Sequence, residues 1–483
     1  MKNPIKTFLN RFHATDKQKD ESKGKQESTL LLINTQWLIA LGFFGFIIVG
    51  ALLLLFPFAV EAGQPRLSVT EAFFTATSAT CETGLSVIDV GTRLSTTGQI
   101  ILMIMIQLGG LGITTFGTFL LVLVGQRLSI QSESIIMDAY GAGDVDILRK
   151  LICKTVGLTI FLELLGASAL YYEYTSGASG FEPYPPLKAA YYSIFHSVSA
   201  FCNAGFSLHS QNLIPFQSCP LYLCTISLLI IAGGLGFLVL VNLISIRPAF
   251  RKGPKKHRLN LHSKIVLFMT ALLVSAGALL ILGNEWNASL KELDIGDKIM
   301  CSIFQSVTAR TAGFNAVDMS EFTESSRFVT SLLMLVGGSP GSAAGGIRTT
   351  TVLVIFMTLY SMTRGRNETI VFSRTLSNQI VRQSFLIVLA AFLLIFLSYG
   401  VLLHTEQLQP GDASKLIFET ISASATVGLS INHTATLSTA GRWVIIFCMF
   451  MGRLGAVAII AFLTTRKEDA NNIRYPEEGI VVG

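Results

Sequence analysis

Four tetrapeptides hold the residues of this chain best placed to do chemistry: Cys81, Glu82, Thr83, Gly84; Cys202, Asn203, Ala204, Gly205; Arg310, Thr311, Ala312, Gly313; and Ala425, Thr426, Val427, Gly428. Each lies in a longer signature, a Phe followed by a Ser/Thr/Ala-rich run and then Gly-Leu or Gly-Phe. The signatures are FFTATSATCETGLS (Phe73 to Ser86), FHSVSAFCNAGFS (Phe195 to Ser207), FQSVTARTAGFN (Phe304 to Asn315) and FETISASATVGLS (Phe418 to Ser430). From Phe to Gly is ten residues in the first (counted from Phe74), second and fourth, and nine in the third; the glycines recur 121, 108 and 115 residues apart. Four such segments can supply main-chain oxygen. A dehydrated monovalent cation needs a cage of neutral oxygens, because a carboxylate would hold it too tightly, and carbonyls from four loops around one axis can form that cage. Turning a carbonyl inward often takes φ > 0, which Gly adopts at little cost. The Ser/Thr/Ala run suits a short helix whose C-terminal end, aimed at the axis, presents partial negative charge. One such glycine alone reads better as a tight turn; four at matching offsets, each between two apolar runs, favour the cage.

Two charges complicate this cage. Glu82 either binds the ion strongly or points away from the axis, and the sequence leaves both open. Arg310, inside the third signature, reads better as a brace for its loop.

The apolar run after each signature carries a glycine cluster: QLGGLGITTFG (Gln107 to Gly117), AGGLGF (Ala232 to Phe237), GGSPGSAAGG (Gly337 to Gly346) and MGRLGA (Met451 to Ala456). The first approaches a dinucleotide-binding fingerprint but lacks its last Gly and has no preceding strand, so close helix approach is the better reading. The third is different. Gly337, Gly338, Ser339, Pro340, Gly341, Ser342, Ala343, Ala344, Gly345 and Gly346 cannot continue a helix, since each interior Gly costs about 1 kcal/mol and Pro about 3. Loose backbone at membrane depth belongs beside an aqueous path, which makes this segment a candidate gate. Arg453, in the fourth cluster at mid-depth, must be paired or functional. It either meets carbonyls of the broken loop or sets a positive barrier under the filter.

These segments need a scaffold. The 483 residues are 51% hydrophobic and 14% charged, where a soluble domain carries about 25% charged residues. Long apolar runs flank every signature, giving an all-α polytopic membrane protein of four span–pore loop–span repeats: eight transmembrane helices and four re-entrant loops around one pore. The repeats fall at 30–126, 148–246, 261–362 (with a broken second span) and 379–465, with tails at 1–29 and 466–483. The second span of repeat 2 runs from Leu221 to Ile246, and the first re-entrant helix covers Phe73 to Thr80. Arg247 to Lys264 holds seven Lys/Arg and no acid; it and the other links between repeats place themselves and both termini in the cytoplasm of a cell-membrane protein, with contact to anionic lipid. A nucleic-acid site does not fit so short a stretch with one aromatic, Phe250. The opposite mouths are mildly acidic (Glu285, Glu292, Asp294, Asp297, Asp318, Glu321, Glu324), either a cation-concentrating vestibule or ordinary solvated loop.

The seven histidines are scattered without metal-ligand spacing, and His196 reads as a packed polar residue, so an enzyme is not indicated. Inverted repeats of a secondary transporter do not fit four units running the same way.

SVTARTAGFN, SAFCNAGFSL, TVGLS, GGSPGSAAGG and MGRLG together resemble the Trk/Ktr/HKT superfamily of potassium transporters, over about Leu30 to Thr465, and most of all its KtrB-type membrane subunits. The resemblance implies potassium (K+) as the transported ion, filter glycines at Gly84, Gly205, Gly313 and Gly428, and a gate at Gly337 to Gly346 with Arg453. It further implies a homodimer on a cytosolic, nucleotide-binding RCK-type (KtrA-like) ring, with no cofactor on this chain. Relatives with Ser at the first filter position favour sodium; Gly84 implies potassium. Glu82 and Cys202 depart from the expected apolar residue and Asn.

Overall fold

The structure is a computed structural model that describes residues 40–110, 145–177, 182–245, 259–366, 368–406 and 411–463, the side chains of 145–153, 245 and 456–463 excepted. The expected tails 1–29 and 466–483, and residues 125–144 and 247–258 of the basic links, lie outside that set.

Among the described residues the regular structure is helical apart from a small antiparallel hairpin, Ile370–Val371 with Arg374–Thr375, in the link before the fourth signature. In chain order the helices are α1 (Ala40–Leu55), α2 (Val69–Thr80), α3 (Val90–Arg93), α4 (Thr96–Gly110), α5 (Val145–Ser176), α6 (Pro186–Phe201), α7 (Pro220–Leu235), α8 (Phe237–Ser245), α9 (Leu261–Glu285), α10 (Ile295–Thr308), α11 (Glu324–Leu335), α12 (Thr349–Thr363), α13 (Asn378–Thr405), α14 (Asp412–Ser424) and α15 (Thr439–Leu463). Among the described residues, α9, α13 and Lys154–Ser176 of α5 are each long and apolar enough to cross a bilayer, and α7 with α8, bent at the break between them, is a fourth if the pair counts as one span.

Helices α2, α6, α10 and α14 hold the Ser/Thr/Ala runs. The first starts earlier than Phe73 because Ser68 and Glu71 form a capping box: Ser68 N donates to Glu71 Oε2 at 2.8 Å and Glu71 N to Ser68 Oγ at 3.2 Å. Its twelve residues span about 18 Å, too short to cross. The signature phenylalanines Phe74, Phe195, Phe304 and Phe418 are all buried in one continuous core. Packing around that core is cyclic: α6 packs on α4, α10 on α7, α14 on α11, and α2 on α15. Each short helix therefore leans on the second helix of the preceding signature, and the fourth hands back to the first. Leu389, Leu393, Phe396 and Leu397 of α13 stay exposed on the periphery, as lipid-facing side chains do.

One expectation needs correction. The span from Leu221 to Ile246 is not continuous: it bends by 102° between α7 and α8, at Gly236 with φ +85°. A second kink falls at Gly455 (φ +79°) inside α15. At both places the glycine cluster read as a close-approach surface also breaks the helix, because φ > 0 cannot continue a right-handed turn.

Candidate functional site: a ring of four glycines above a clamped loop

After each short helix the chain turns back in the same hairpin. Thr83 N donates to Ser78 O at 2.8 Å, Ala204 N to Ser199 O at 2.8 Å, Ala312 N to Thr308 O at 2.9 Å and Val427 N to Ser422 O at 2.8 Å. The hydroxyls of those same acceptor residues reach the far limb. Gly84 N and Gly428 N donate to Ser78 Oγ and Ser422 Oγ, each at 3.1 Å; Ser199 Oγ and Thr308 Oγ1 donate to Phe206 O (2.8 Å) and Phe314 O (2.7 Å). The residue missing from the third signature is thus lost from the turn between Thr308 and Gly313. Gly84, Gly205, Gly313 and Gly428 have φ of +88°, +69°, +80° and +92°, as expected. So do four residues that are not glycine, two positions earlier: Glu82 (+55°), Asn203 (+56°), Thr311 (+75°) and Thr426 (+50°). A β-branched Thr there is strained at about 1–3 kcal/mol and persists only where its surroundings fix it.

The four hairpins meet. A Cβ on Gly84 would lie 2.7 Å from Ala204 O and 3.1 Å from Gly205 Cα; on Gly205, 2.7 Å from Ala312 O and 3.0 Å from Gly313 Cα; on Gly313, 2.6 Å from Val427 O and 3.1 Å from Gly428 Cα. On Gly428 it would strike Thr83 O and lie 3.0 Å from Gly84 Cα, which closes the ring. Equivalent atoms thus touch four times in cyclic order. Behind the ring, a Cβ on Gly109, Gly233 or Gly452 would run into the carbonyl oxygens of Thr80, Phe201 and Ser424, the last residues of α2, α6 and α14. The close approach expected of those clusters is real.

Residues 337–346 separate α11 from α12 and lie against the hairpins. A Cβ on Gly345 would strike Thr426 Oγ1 and sit 3.1 Å from Ala425 O. The segment is tied to the α7–α8 break: Ser339 N donates to Gly234 O at 3.0 Å and Phe237 N to Gly341 O at 3.1 Å. Two guanidiniums grip its carbonyls. Arg348 Nη1 donates to Ala344 O and, at 3.4 Å, to Ser339 O. Arg453 Nη1 donates to Ala343 O and Nη2 to Gly109 O at 2.7 Å. Arg453 Nη2 also forms an ion pair with Glu82 Oε2 at 2.6 Å, between side chains 3% and 0% exposed. Glu82 thus meets Arg453 of α15, and Arg453 meets carbonyls of the broken loop. Arg310 is buried and its Nε has no hydrogen-bond partner among the described residues, while the hydroxyl of Thr308 closes that hairpin.

On its other side the ring opens into a cavity of about 880 Å3 lined by Gly84, Gly313 and Gly428 and carrying Glu292, Asp318 and Glu321 beside Lys291. Glu285 does not belong to it. It is buried, accepting from Thr323 N (3.0 Å), Thr323 Oγ1 (2.7 Å) and Ser289 Oγ (2.8 Å), and so fixes the start of α11. The residue after each signature Phe has a similar holding role in two hairpins. Glu419 accepts from Ser430 Oγ (2.5 Å) and Ile431 N (3.0 Å). His196 Nε2 faces Ser207 Oγ (3.1 Å) and accepts from Leu208 N (3.3 Å), leaving Nδ1–H to donate to Tyr192 O (2.8 Å). His196 is packed, as expected, but is not alone: its ring stacks on His209 with centroids 4.9 Å apart. Among the described residues no group of three or more His, Cys, Asp or Glu is placed to hold a metal ion.

The chain has known relatives. Residues 45–475 match the family described as TrkH, cation transport protein. The chain belongs to that family. It is 35% identical to the Ktr system potassium uptake protein B of Vibrio alginolyticus, covering 98% of both chains, and 34% identical to the protein of the same name in Bacillus subtilis (strain 168), covering 92% of this chain and 96% of that one. The potassium/sodium uptake protein NtpJ of Enterococcus hirae is 32% identical over 92% of this chain and 96% of its own. Among solved structures, the potassium transporter TrkH from Vibrio parahaemolyticus superposes with a TM-score of 0.67 at 19% identity, covering 90% of this chain and 85% of that one. This TrkH-family chain is therefore a helical, multi-pass membrane protein of a cation transport family and not an enzyme.

Sequence reasoning on this TrkH-family chain missed Ser78, Ser199, Thr308 and Ser422. Their signal was present, a hydroxyl four residues after each signature Phe. It also missed Arg348, whose place next to the glycine-rich segment was visible, and the Glu82–Arg453 pair, which no local pattern announces.

Proposed function

We propose that this protein is the pore subunit of a Ktr-type potassium uptake system in the cell membrane. Potassium crosses a filter of main-chain oxygens from the hairpins at Gly84, Gly205, Gly313 and Gly428, gated by residues 337–346 with Arg453 and Arg348. The cyclic contact of four equivalent glycines carries the reading: four hairpins, each closed on itself by a hydroxyl and packed backbone to backbone on the next, are what a cage of fixed oxygens requires. The names of the Ktr relatives at 34–35% identity favour potassium, as does Gly rather than Ser at position 84. In this reading eight spans and four re-entrant helices surround one path, both termini and the basic links are cytoplasmic, and the acidic cavity is the outer vestibule. The subunit is a homodimer on a nucleotide-binding cytosolic ring, and this chain itself binds no cofactor. A sodium-permeable transporter is the second reading, favoured by the similarity to a potassium/sodium uptake protein.

Rubidium uptake into cells lacking their own potassium transport, with and without this chain, tests transport. Competition between potassium and sodium in liposomes then separates the two readings. Absence of any cation flux rejects both.

A further inference from the structure

The second helices of three signatures share one pattern: Gly109-Gly110-Leu111-Gly112, Gly233-Gly234-Leu235-Gly236 and Gly452-Arg453-Leu454-Gly455. Arg453 stands where the other two have glycine. Gly110 leaves no room for a side chain, since a Cβ there would lie 2.6 Å from Glu82 Oε1, whereas one on Gly234 would meet the Asn203 amide at an ordinary contact distance of 3.4 Å. The four left-handed positions of the hairpins hold Glu82, Asn203, Thr311 and Thr426, a single acid among them. Across these two sets of equivalent positions the charged residues are Arg453 and Glu82, in different repeats, and the two meet as a buried ion pair. The pair faces the segment 337–346, where Arg348 supplies a second guanidinium bound to carbonyls. Among the described residues, Glu82 is the only carboxylate in an ion pair with either arginine.

We propose that Glu82 is a conductance-determining residue: its carboxylate neutralises Arg453 on the loop side of the glycine ring, so that a monovalent cation leaving the ring meets one guanidinium there, that of Arg348, and not two. The inference rests on the ring being the cation path and assigns a residue within that path. In a dry interior a bare guanidinium repels a passing cation strongly, and a bare carboxylate holds it. Each charge is tolerable because the other is present.

Full-length protein in liposomes, with rubidium influx measured against concentration, tests this. The variants are Glu82→Gln, Arg453→Gln, the double variant and Glu82→Asp. Glu82→Gln should lower the maximal rate by about tenfold or more. Arg453→Gln should lower both KM and the maximal rate, because the exposed carboxylate retains the ion. The double variant should recover to within about threefold of wild type, as compensating neighbours do, and Glu82→Asp should outperform Glu82→Gln. A pair that only packed the fold would leave the double variant no better than the worse single one, and KM unmoved. Wild-type flux from Glu82→Gln, or a double variant as slow as the slower single, overturns the proposal. Should Glu82→Gln fail to reach the membrane, the comparison of Arg453→Gln with the double variant decides. If wild type itself carries no rubidium, it is the transport reading that has failed; if wild type carries it and Glu82 is silent, only this proposal has.

Discussion

Replacing Gly205 by alanine perturbs the ring without adding charge or bulk beyond one methyl. The new Cβ would sit 2.7 Å from Ala312 O and 3.0 Å from Gly313 Cα. Both are backbone atoms, so no rotamer change relieves them. Ordinary contact begins at 3.4 Å, and the carbonyl must therefore retreat by about 0.7 Å, a gap large enough to forfeit much of a contact. Holding alanine at φ +69° adds about 1–2 kcal/mol of strain. Gly63 separates the two effects. Its φ is +86° and nothing lies within 4 Å of its missing Cβ, so Gly63→Ala pays the strain but pushes on no carbonyl. A mismatch of about 1.4 kcal/mol between the cage and its preferred ion is a tenfold change in preference. In liposomes, sodium competition against rubidium influx should show Gly205→Ala losing about tenfold in potassium preference, with Gly63→Ala within about twofold of wild type. Equal discrimination in the two variants would refute the reasoning, because the retreat of Ala312 O would then have no bearing on the ion.

Three more outcomes follow from the same geometry. Glu419→Leu leaves Ile431 N and two hydroxyls without their buried acceptor, at about 1–3 kcal/mol for each stranded group, and should lower the unfolding temperature in detergent well below that of Glu419→Gln. Shortening Gly341 to Gly345 removes backbone that joins the α7–α8 break to the hairpins and should raise flux; unchanged transport would deny these residues a gating role. Neutralising Glu292, Asp318 and Glu321 together should raise KM for potassium at low ionic strength, with the difference fading above about 0.1 M salt, where charges are screened beyond about 10 Å.

Much of this arrangement was legible because it repeats. The Phe-to-Gly offset located every hairpin, and the Gly/Pro density of 337–346 located the break between α11 and α12. What escaped detection depends on tertiary packing. Left-handed backbone at Glu82, Thr311 and Thr426 runs against the preference of those residue types, though not at Asn203, so their neighbours in the fold must enforce it. The bend at Gly236 is fixed by Phe237 N reaching Gly341 O, a contact between repeats. Glu82 and Arg453 stand at opposite ends of the chain, and their meeting requires the cyclic closure of α15 onto α2. Glu285, grouped in sequence with the acids of the mouths, is neither vestibule nor solvated loop, and nothing local shows it because its partners Thr323 and Ser289 lie on separate loops.

The measurement that bears most directly on the ring is anomalous diffraction from crystals of the protein grown in rubidium. A filter predicts an anomalous peak on the line enclosed by Gly84, Gly205, Gly313 and Gly428, within coordination distance of carbonyl oxygens from all four hairpins. A peak held by only one or two hairpins, or rubidium bound elsewhere while the ring stays empty, would contradict it.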